Sequence, residues 1–224
     1  RDLHSFPTRR SSDLKVKGDY YLSEREEEDL RYLAEMNKPV ILILNAGGPV
    51  ELTDILEQTD NIKGILNISQ LGQEGGDALA DVLLGKEVPG GKLTTTWARR
   101  YEDYPASEEY GYLNGNLEKE KYKEGIYVGY RYFDTFNITP AYEFGYGKSY
   151  TSFDVEPLTV AADENNVSVT VNVTNTGDTY SGKEVVEVYF SAPDGELEKP
   201  YQELAGYAKT DELAPGESQV LTIT

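Results

Sequence analysis

The groups able to do chemistry in this chain are carboxylates, tyrosines and lysines, because the common nucleophiles and metal ligands are nearly absent. The 224 residues include no cysteine and one histidine, His4. That excludes a thiol nucleophile, a disulfide, a Cys-ligated metal and a His-rich zinc site, and it leaves a Ser-His-Asp triad only if His4 serves. Glu124 with Arg131 and Asp134 is the best carboxylate constellation, since a carboxylate–guanidinium network can orient a sugar hydroxyl through charge-assisted hydrogen bonds. The competing reading is a network that locks its own segment onto a neighbouring part of the fold. Glu74 and Asp77 stand three apart at a helix start, where the dipole favours negative charge. Such a site keeps a carboxylate ionised, whereas a general acid needs a raised pKa, so a structural role fits this pair better. Trp97 could stack on a sugar ring, but a lone tryptophan ending a strand more commonly packs in a core. The Gly47-Gly48 turn between a strand and a helix could hold an anion, yet it lacks the spacing of a dinucleotide or P-loop fingerprint, which argues against a doubly wound nucleotide-binding domain.

Charge narrows the function classes further. Forty acidic residues against 21 basic ones give a formal charge of -19. Such a balance repels phosphate backbones and anionic lipid, so neither nucleic acid nor a membrane surface is an expected partner. The longest apolar run, Val40 to Leu44, is far shorter than the roughly 20 residues of a transmembrane helix. With 38% hydrophobic and 27% charged residues, the composition is that of a folded globular chain. Asn67, Asn137, Asn166 and Asn172 each begin an Asn-x-Ser/Thr triplet, read as chance matches, with Asn67 expected on a buried strand.

The elements that must position these residues change along the chain. In residues 1–14 Arg1, Arg9 and Arg10 outnumber Asp2 and Asp13, against the acidity of everything that follows. These residues have no periodicity and no signal-peptide pattern, and they resemble translated sequencing-adapter sequence; the alternative is a natural flexible leader. Residues 15–98 read as α/β. Ser23 and Glu26 form a capping-box pattern before a helix, and Val40–Leu44 reads as a strand buried on both faces. Pro49 suits the first turn of a helix reaching Gln58, Gly64 to Ile68 makes a second strand, and Gly75 to Gly85 a further helix. Strand–helix–strand–helix at this spacing predicts a parallel sheet. Residues 99–149 form a connecting segment without a long period, and 11 of the 18 tyrosines lie between Tyr101 and Tyr150. A connection this long is expected to cover a surface or border a site. From residue 150 to 224 the period becomes two, as in Val167–Val173, with turns at Asn175-Thr176-Gly177-Asp178 and Pro215-Gly216-Glu217. That is a β-sandwich module. At about 75 residues it is shorter than the roughly 100 of such folds, so its last strands are expected to be missing and the edge near Thr222-Ile223-Thr224 to be open to aggregation.

Eight blocks in order resemble glycoside hydrolase family 3, of the β-glucosidase and β-xylosidase type. They include Lys17-Gly18-Asp19-Tyr20-Tyr21-Leu22, Leu44-Asn45-Ala46-Gly47-Gly48-Pro49, the run from Gly72 to Gly85, and Pro89-Gly90-Gly91-Lys92-Leu93. Tyr101-Glu102-Asp103-Tyr104-Pro105, the run from Tyr122 to Asp134, the run from Phe144 to Phe153, and Asn175-Thr176-Gly177 with Pro215-Gly216-Glu217-Ser218 complete the set. The resemblance implies a partial α/β sandwich with a parallel sheet, an aromatic-rich connector, and an incomplete fibronectin type III-like β-sandwich.

The same resemblance implies a retaining glycosidase that uses a nucleophile and an acid/base about 5 Å apart, with no metal or organic cofactor. It assigns the nucleophilic aspartate to a separate (β/α)8 barrel, and no segment here matches that barrel. It assigns the acid/base glutamate to a Gly-Glu-Gly-x-Asp-Arg stretch just upstream of Lys15, where this chain has Ser11-Ser12-Asp13-Leu14. Catalytic residues are therefore expected to be absent, leaving Glu124, Arg131, Asp134 and Trp97 as substrate-binding candidates. The expected partners are the barrel of the same polypeptide and a β-linked glycoside. The run from Asn116 to Gly129 tilts the expected barrel position to beyond Thr224. Absence of cysteine and high acidity suit a bacterial cytoplasmic enzyme. The alternative function is a non-catalytic carbohydrate-binding or structural module.

Overall fold

In a computed structural model of the chain, residues 17, 20–36, 38–108, 118 and 122–224 are described. The leader at 1–14 with His4, the place of the expected acid/base stretch, and residues 116, 117 and 119–121 of the run from Asn116 to Gly129 lie outside them. The chain divides into two units. The first takes the described residues of Arg1–Gly75, Thr96–Gly125 and Ile138–Tyr142; the second takes Gly76–Thr95, Ile126–Asn137 and Glu143–Thr224. The tyrosine-rich connector is thus shared out between both units.

The first unit is α/β. Helix α1 (Glu24–Glu35) starts at the predicted capping box: Ser23 Oγ accepts from the Glu26 backbone N–H, and Glu26 Oε2 accepts from the Ser23 N–H at 2.7 Å. Leu30 is its buried residue, while Glu24 and Glu28 face solvent, as a helix with one apolar stripe requires. Strand β1 (Val40–Leu44) pairs in parallel with β2 (Ile62–Asn67), connected through α2 (Thr53–Gln58). Two expectations need adjusting. Strand β1 is not buried on both faces, since Ile41 and Ile43 are exposed while Leu44 is buried; among the described residues, one face of this strand is left open. Helix α2 begins at Thr53 and not at Pro49, because the Glu51 N–H is spent on the Tyr20 carbonyl at 3.0 Å in a short parallel bridge. Asn67, expected on a buried strand, stands exposed at the end of β2.

The second unit holds α3 (Gly75–Leu83, all but its first residue), α4 (Tyr130–Thr135) and the β-sandwich. One sheet has the order β3 (Phe153–Ala162), β4 (Val167–Asn175), β7 (Ser218–Ile223), antiparallel throughout. The other pairs β5 (Val185–Phe190) with β6 (Glu203–Lys209), also antiparallel. Alternation puts Val171 and Val173 of β4, Val186 of β5 and Ile223 of β7 into one core with Leu213. Each such side chain contributes about 1.5–3 kcal/mol when fully buried.

Asn175, at the end of β4, is 0% exposed and fully satisfied. Its Oδ1 accepts from Thr151 Oγ1 at 2.6 Å and from the Gly177 N–H at 3.0 Å. Its Nδ2 donates to the carbonyls of Tyr180 at 2.9 Å and Leu213 at 2.8 Å. One side chain therefore ties the Asn-Thr-Gly turn, the approach to β5 and the segment before β7.

Candidate functional site

Helix α4 carries two of the candidate residues, and the sequence starts it sharply. Gly129 has φ 59°, a conformation that favours glycine, and its carbonyl accepts from the Tyr132 N–H at 3.0 Å. Phe133 then faces inward and is buried. Tyr130, Arg131, Asp134 and Thr135 share another face by helical spacing.

That face is clasped along one edge of the sandwich. Tyr130 Oη accepts from the Leu204 N–H at 2.8 Å, and Arg131 Nη2 lies 3.1 Å from Glu203 Oε1. Asp134 Oδ2 accepts from Gln202 Nε2 at 2.9 Å, and Thr135 Oγ1 accepts from the Tyr201 N–H at 2.9 Å. Residues ascending the helix meet residues descending from 204 to 201. Arg131 and Asp134 are therefore brought together, but each is already engaged by a partner from the entry to β6. This is the locking arrangement that competed with sugar binding in the sequence reading.

Glu124 belongs to the first unit, and its Oε2 is buried with no hydrogen-bond partner among the described residues. Trp97 also lies in the first unit and is only 5% exposed. Its backbone bridges to Tyr142, with the Trp97 N–H donating to the Tyr142 carbonyl at 2.8 Å, and the two rings meet edge-on at 6.0 Å. That is the setting of a core residue. Glu74 and Asp77 are both exposed at the start of α3. The Gly47-Gly48 turn has no helix directly behind it, which removes the geometry of an anion site.

The structure also assembles a carboxylate site that the motifs did not single out. Glu51 Oε2 accepts from the Tyr101 N–H at 2.9 Å, and Oε1 lies 3.6 Å from Arg100 Nη1. Burial pushes its carboxyl above the ordinary value, although the Tyr101 N–H and the Arg100 guanidinium oppose the shift. Tyr20, Tyr101 and Tyr104 pack edge-on beside it, with Tyr20 5.0 Å from Tyr101 and 5.9 Å from Tyr104. Burial raises the pKa of the Tyr20 and Tyr104 hydroxyls too, and Tyr21 is pushed up to about 12. Glu51 thus joins the segment of Tyr20-Tyr21 to that of Arg100-Tyr101, far apart in sequence. The only local signal for it was its place just after the Gly47-Gly48-Pro49 turn.

A third cluster braces the outer face of β5. Lys92 Nζ pairs with Glu184 Oε1 at 2.6 Å and donates to the Gly147 carbonyl at 2.9 Å. Leu93 exchanges backbone hydrogen bonds with Gly145 and Tyr146, both at 2.8 Å. Gly145 has φ 78°, and a Cβ there would overlap the Glu187 carboxylate, which itself accepts from Tyr189 Oη at 2.7 Å. The quoted Pro-Gly-Gly-Lys-Leu and Phe-Gly-Tyr-Gly blocks are therefore one backbone-paired assembly.

Comparison with known proteins decides the family. A model described as the glycosyl hydrolase family 3 C-terminal domain matches residues 9–130, and one described as a fibronectin type III-like domain matches residues 184–224. The chain belongs to glycosyl hydrolase family 3. It is 43% identical to a β-glucosidase A of Butyrivibrio fibrisolvens over 92% of this chain and 26% of that protein. Among solved structures, it is similar to β-glucosidase 3B from Thermotoga neapolitana in complex with glucose, with a TM-score of 0.85 and 46% identity over 94% of this chain and 30% of that one. A β-glucosidase from Paenibacillus barengoltzii superposes with a TM-score of 0.88 at 38% identity, over 94% of this chain and 23% of that one. The chain thus spans about a quarter of the length of the relatives it matches. The family 3 fold, an α/β part followed by a fibronectin-like sandwich, is the architecture expected from the sequence.

Proposed function

We propose that this chain is a portion of a retaining β-glycosidase that releases terminal β-linked glucose, or xylose, from glycosides and oligosaccharides. The observation that carries the reading is its similarity to β-glucosidases along nearly its whole length. In this reading the chain supplies scaffold, and both catalytic carboxylates come from elsewhere: the nucleophile from a barrel, the acid/base from a stretch just before Lys15. Retaining hydrolysis needs those two groups about 5 Å apart across the glycosidic bond. The engagement of Arg131 by Glu203 and of Asp134 by Gln202 supports a scaffold role for these residues.

The test is direct. The purified 224-residue chain, offered 4-nitrophenyl β-glucoside and β-xyloside, should release no nitrophenol above background. Turnover that disappears in Glu124→Gln would overturn the assignment and make Glu124 a catalytic group. A second reading, a non-catalytic carbohydrate-binding module, draws on the exposed rings of Phe136 and Tyr201 beside the α4 clasp. Calorimetric titration with cello- and xylo-oligosaccharides separates the two, since saturable binding lost in Tyr201→Ala would favour the module.

A further inference from the structure

The segment from Ser191 to Lys199, between β5 and β6, has no helix or strand, and it holds the one aspartate of the sequence that is followed by glycine, Asp194 before Gly195. A carboxyl can react with the next backbone N–H when the side chain is free to swing back, the N–H is uncommitted, and no Cβ blocks the approach. All three conditions hold here. The Asp194 side chain is fully exposed, and its one polar contact among the described residues is an ion pair, with Lys199 Nζ 3.5 Å from Oδ1. The Gly195 N–H makes no hydrogen bond among the described residues. A Cβ placed on Gly195 would meet nothing within 4 Å, and glycine gives the backbone the freedom that ring closure needs. Other aspartates fail at least one condition. Asp29 and Asp81 lie inside α1 and α3, where the next N–H belongs to the helical ladder. Asp60 precedes Asn61, whose N–H donates to Thr59 Oγ1 at 3.1 Å. Asp103 and Asp163 each spend a carboxylate oxygen on backbone N–H groups.

We propose that Asp194 and Gly195 form a site of self-modification, at which Asp194 is converted to isoaspartate through a cyclic imide, and that Lys199 is the brake on it. The Gly195 nitrogen attacks Asp194 Cγ, one Cγ–O bond breaks, and that oxygen leaves as water with the carboxyl proton and the amide proton. Water then adds to one of the two imide carbonyls. Breaking the new bond from Cγ to nitrogen restores aspartate. Breaking the original peptide bond instead leaves the chain running through Cβ and Cγ, with the former main-chain carbonyl of Asp194 released as a free carboxylate. One water is lost and one regained, so nothing is oxidised or reduced and the mass is unchanged. The brake is geometric. Lys199 Nζ also donates to the Pro193 carbonyl, which fixes where the ammonium stands, and the Asp194 carboxyl must leave it to reach the Gly195 nitrogen. The product lengthens the backbone by one atom ahead of Glu198, whose Oε1 accepts from Tyr127 Oη at 2.9 Å, and it disturbs no core residue. Its released carboxylate is the group that an isoaspartyl carboxyl methyltransferase reads.

The test ages the purified 224-residue chain at neutral pH and maps isoaspartate by digestion and electron-transfer fragmentation. Isoaspartyl methyltransferase with labelled S-adenosylmethionine gives an independent count. Isoaspartate should accumulate at residue 194 and at no other aspartate among the described residues. Gly195→Ala should slow it at least about 10-fold, since a Cβ and a restricted backbone both hinder closure. Lys199→Ala should speed it about 2- to 5-fold, the worth of an exposed ion pair expressed as a rate. That gain should vanish in urea, where the pair is lost, which separates folded geometry from a local effect of sequence. Asn114 before Gly115 can form the same imide, but it releases ammonia, so its product is told apart by a change in mass. Residue 194 unchanged at a time when the free peptide of residues 191–199 has converted, an unchanged rate in either variant, or a Lys199→Ala gain that persists in urea would each overturn the proposal. None of these readouts involves glycosidase activity, so failure here is distinguishable from failure of the functional reading.

Discussion

Arg131 Nη2 sits 3.1 Å from Glu203 Oε1, and this pair lies inside a run of four contacts that holds α4 to the entry of β6. Both side chains are about one-third exposed, so water screens the pair and its own worth is modest. Its significance is geometric: it converts a short helix, too small to be stable alone, into a fixed part of the sandwich.

Arg131→Ala and Glu203→Ala should each lower stability by about 1 kcal/mol, with a coupling of about 0.5–1 kcal/mol between them. Urea denaturation of the two single variants and the double variant measures this. Strict additivity would mean that the pair forms no interaction in solution.

Asn175→Ala should be among the most damaging substitutions in the second unit. It removes four hydrogen bonds at a site with no exposure and leaves the Tyr180 and Leu213 carbonyls and the Gly177 N–H without that partner. A loss of about 3 kcal/mol or more is expected, from stranded buried groups at about 1–3 kcal/mol each. Asn175→Asp should also be costly, because the two carbonyls would then face a carboxylate. A denaturation midpoint unchanged in either variant would refute the role given to this residue.

Gly145→Ala carries two separable penalties, the positive φ and the overlap with the Glu187 carboxylate. The backbone part costs on the order of 1–2 kcal/mol. Adding Glu187→Ala should relieve the overlap and recover part of the loss, while leaving the backbone part in place. Thermal melts of the single and double variants check the ordering; a double variant no better than Gly145→Ala would remove the steric argument.

Glu51 gives a pH signature. Its folded pKa is raised above the usual 4.5, chiefly by burial, with Glu102 and Asp54 adding to the rise and the Tyr101 N–H and Arg100 opposing it. Between the unfolded and the raised folded value, the folded state binds more protons than the unfolded one. The Glu51 contribution to stability is therefore largest below the unfolded pKa, and it declines as pH rises through the folded pKa. Glu51→Gln removes that titration and keeps an acceptor for the Tyr101 N–H. Relative to the parent chain, the variant should be less destabilised at pH 7 than at pH 4, read from urea midpoints at the two values. The reverse order would mean that the Arg100 pairing outweighs burial.

Local sequence was a good guide wherever the cause of structure is itself local. The Ser23–Glu26 capping box and the alternation of Val167–Val173 act within a few residues, and each appears as read. The errors came where a distant partner decides. Pro49 looked like a helix start until the Glu51 backbone was taken by Tyr20, and β1 looked doubly buried because five apolar residues in a row do not say how many faces a sheet will have covered.

The candidate site shows the same division. Residue types singled out Arg131 and Asp134 as one constellation with Glu124, the structure set the first two on α4, and the ordered motifs pointed to the family that comparison then showed. Nothing near residue 131 announces that Glu203 and Gln202 will claim those side chains, that Trp97 will be enclosed beside Tyr142, or that Glu51 will meet Tyr101. Capping, periodicity and turn chemistry are short-range energies written into neighbouring residues. Pairing across 70 positions and the burial that shifts a carboxyl exist only once strands and helices have been brought together, and the tertiary structure alone decides them.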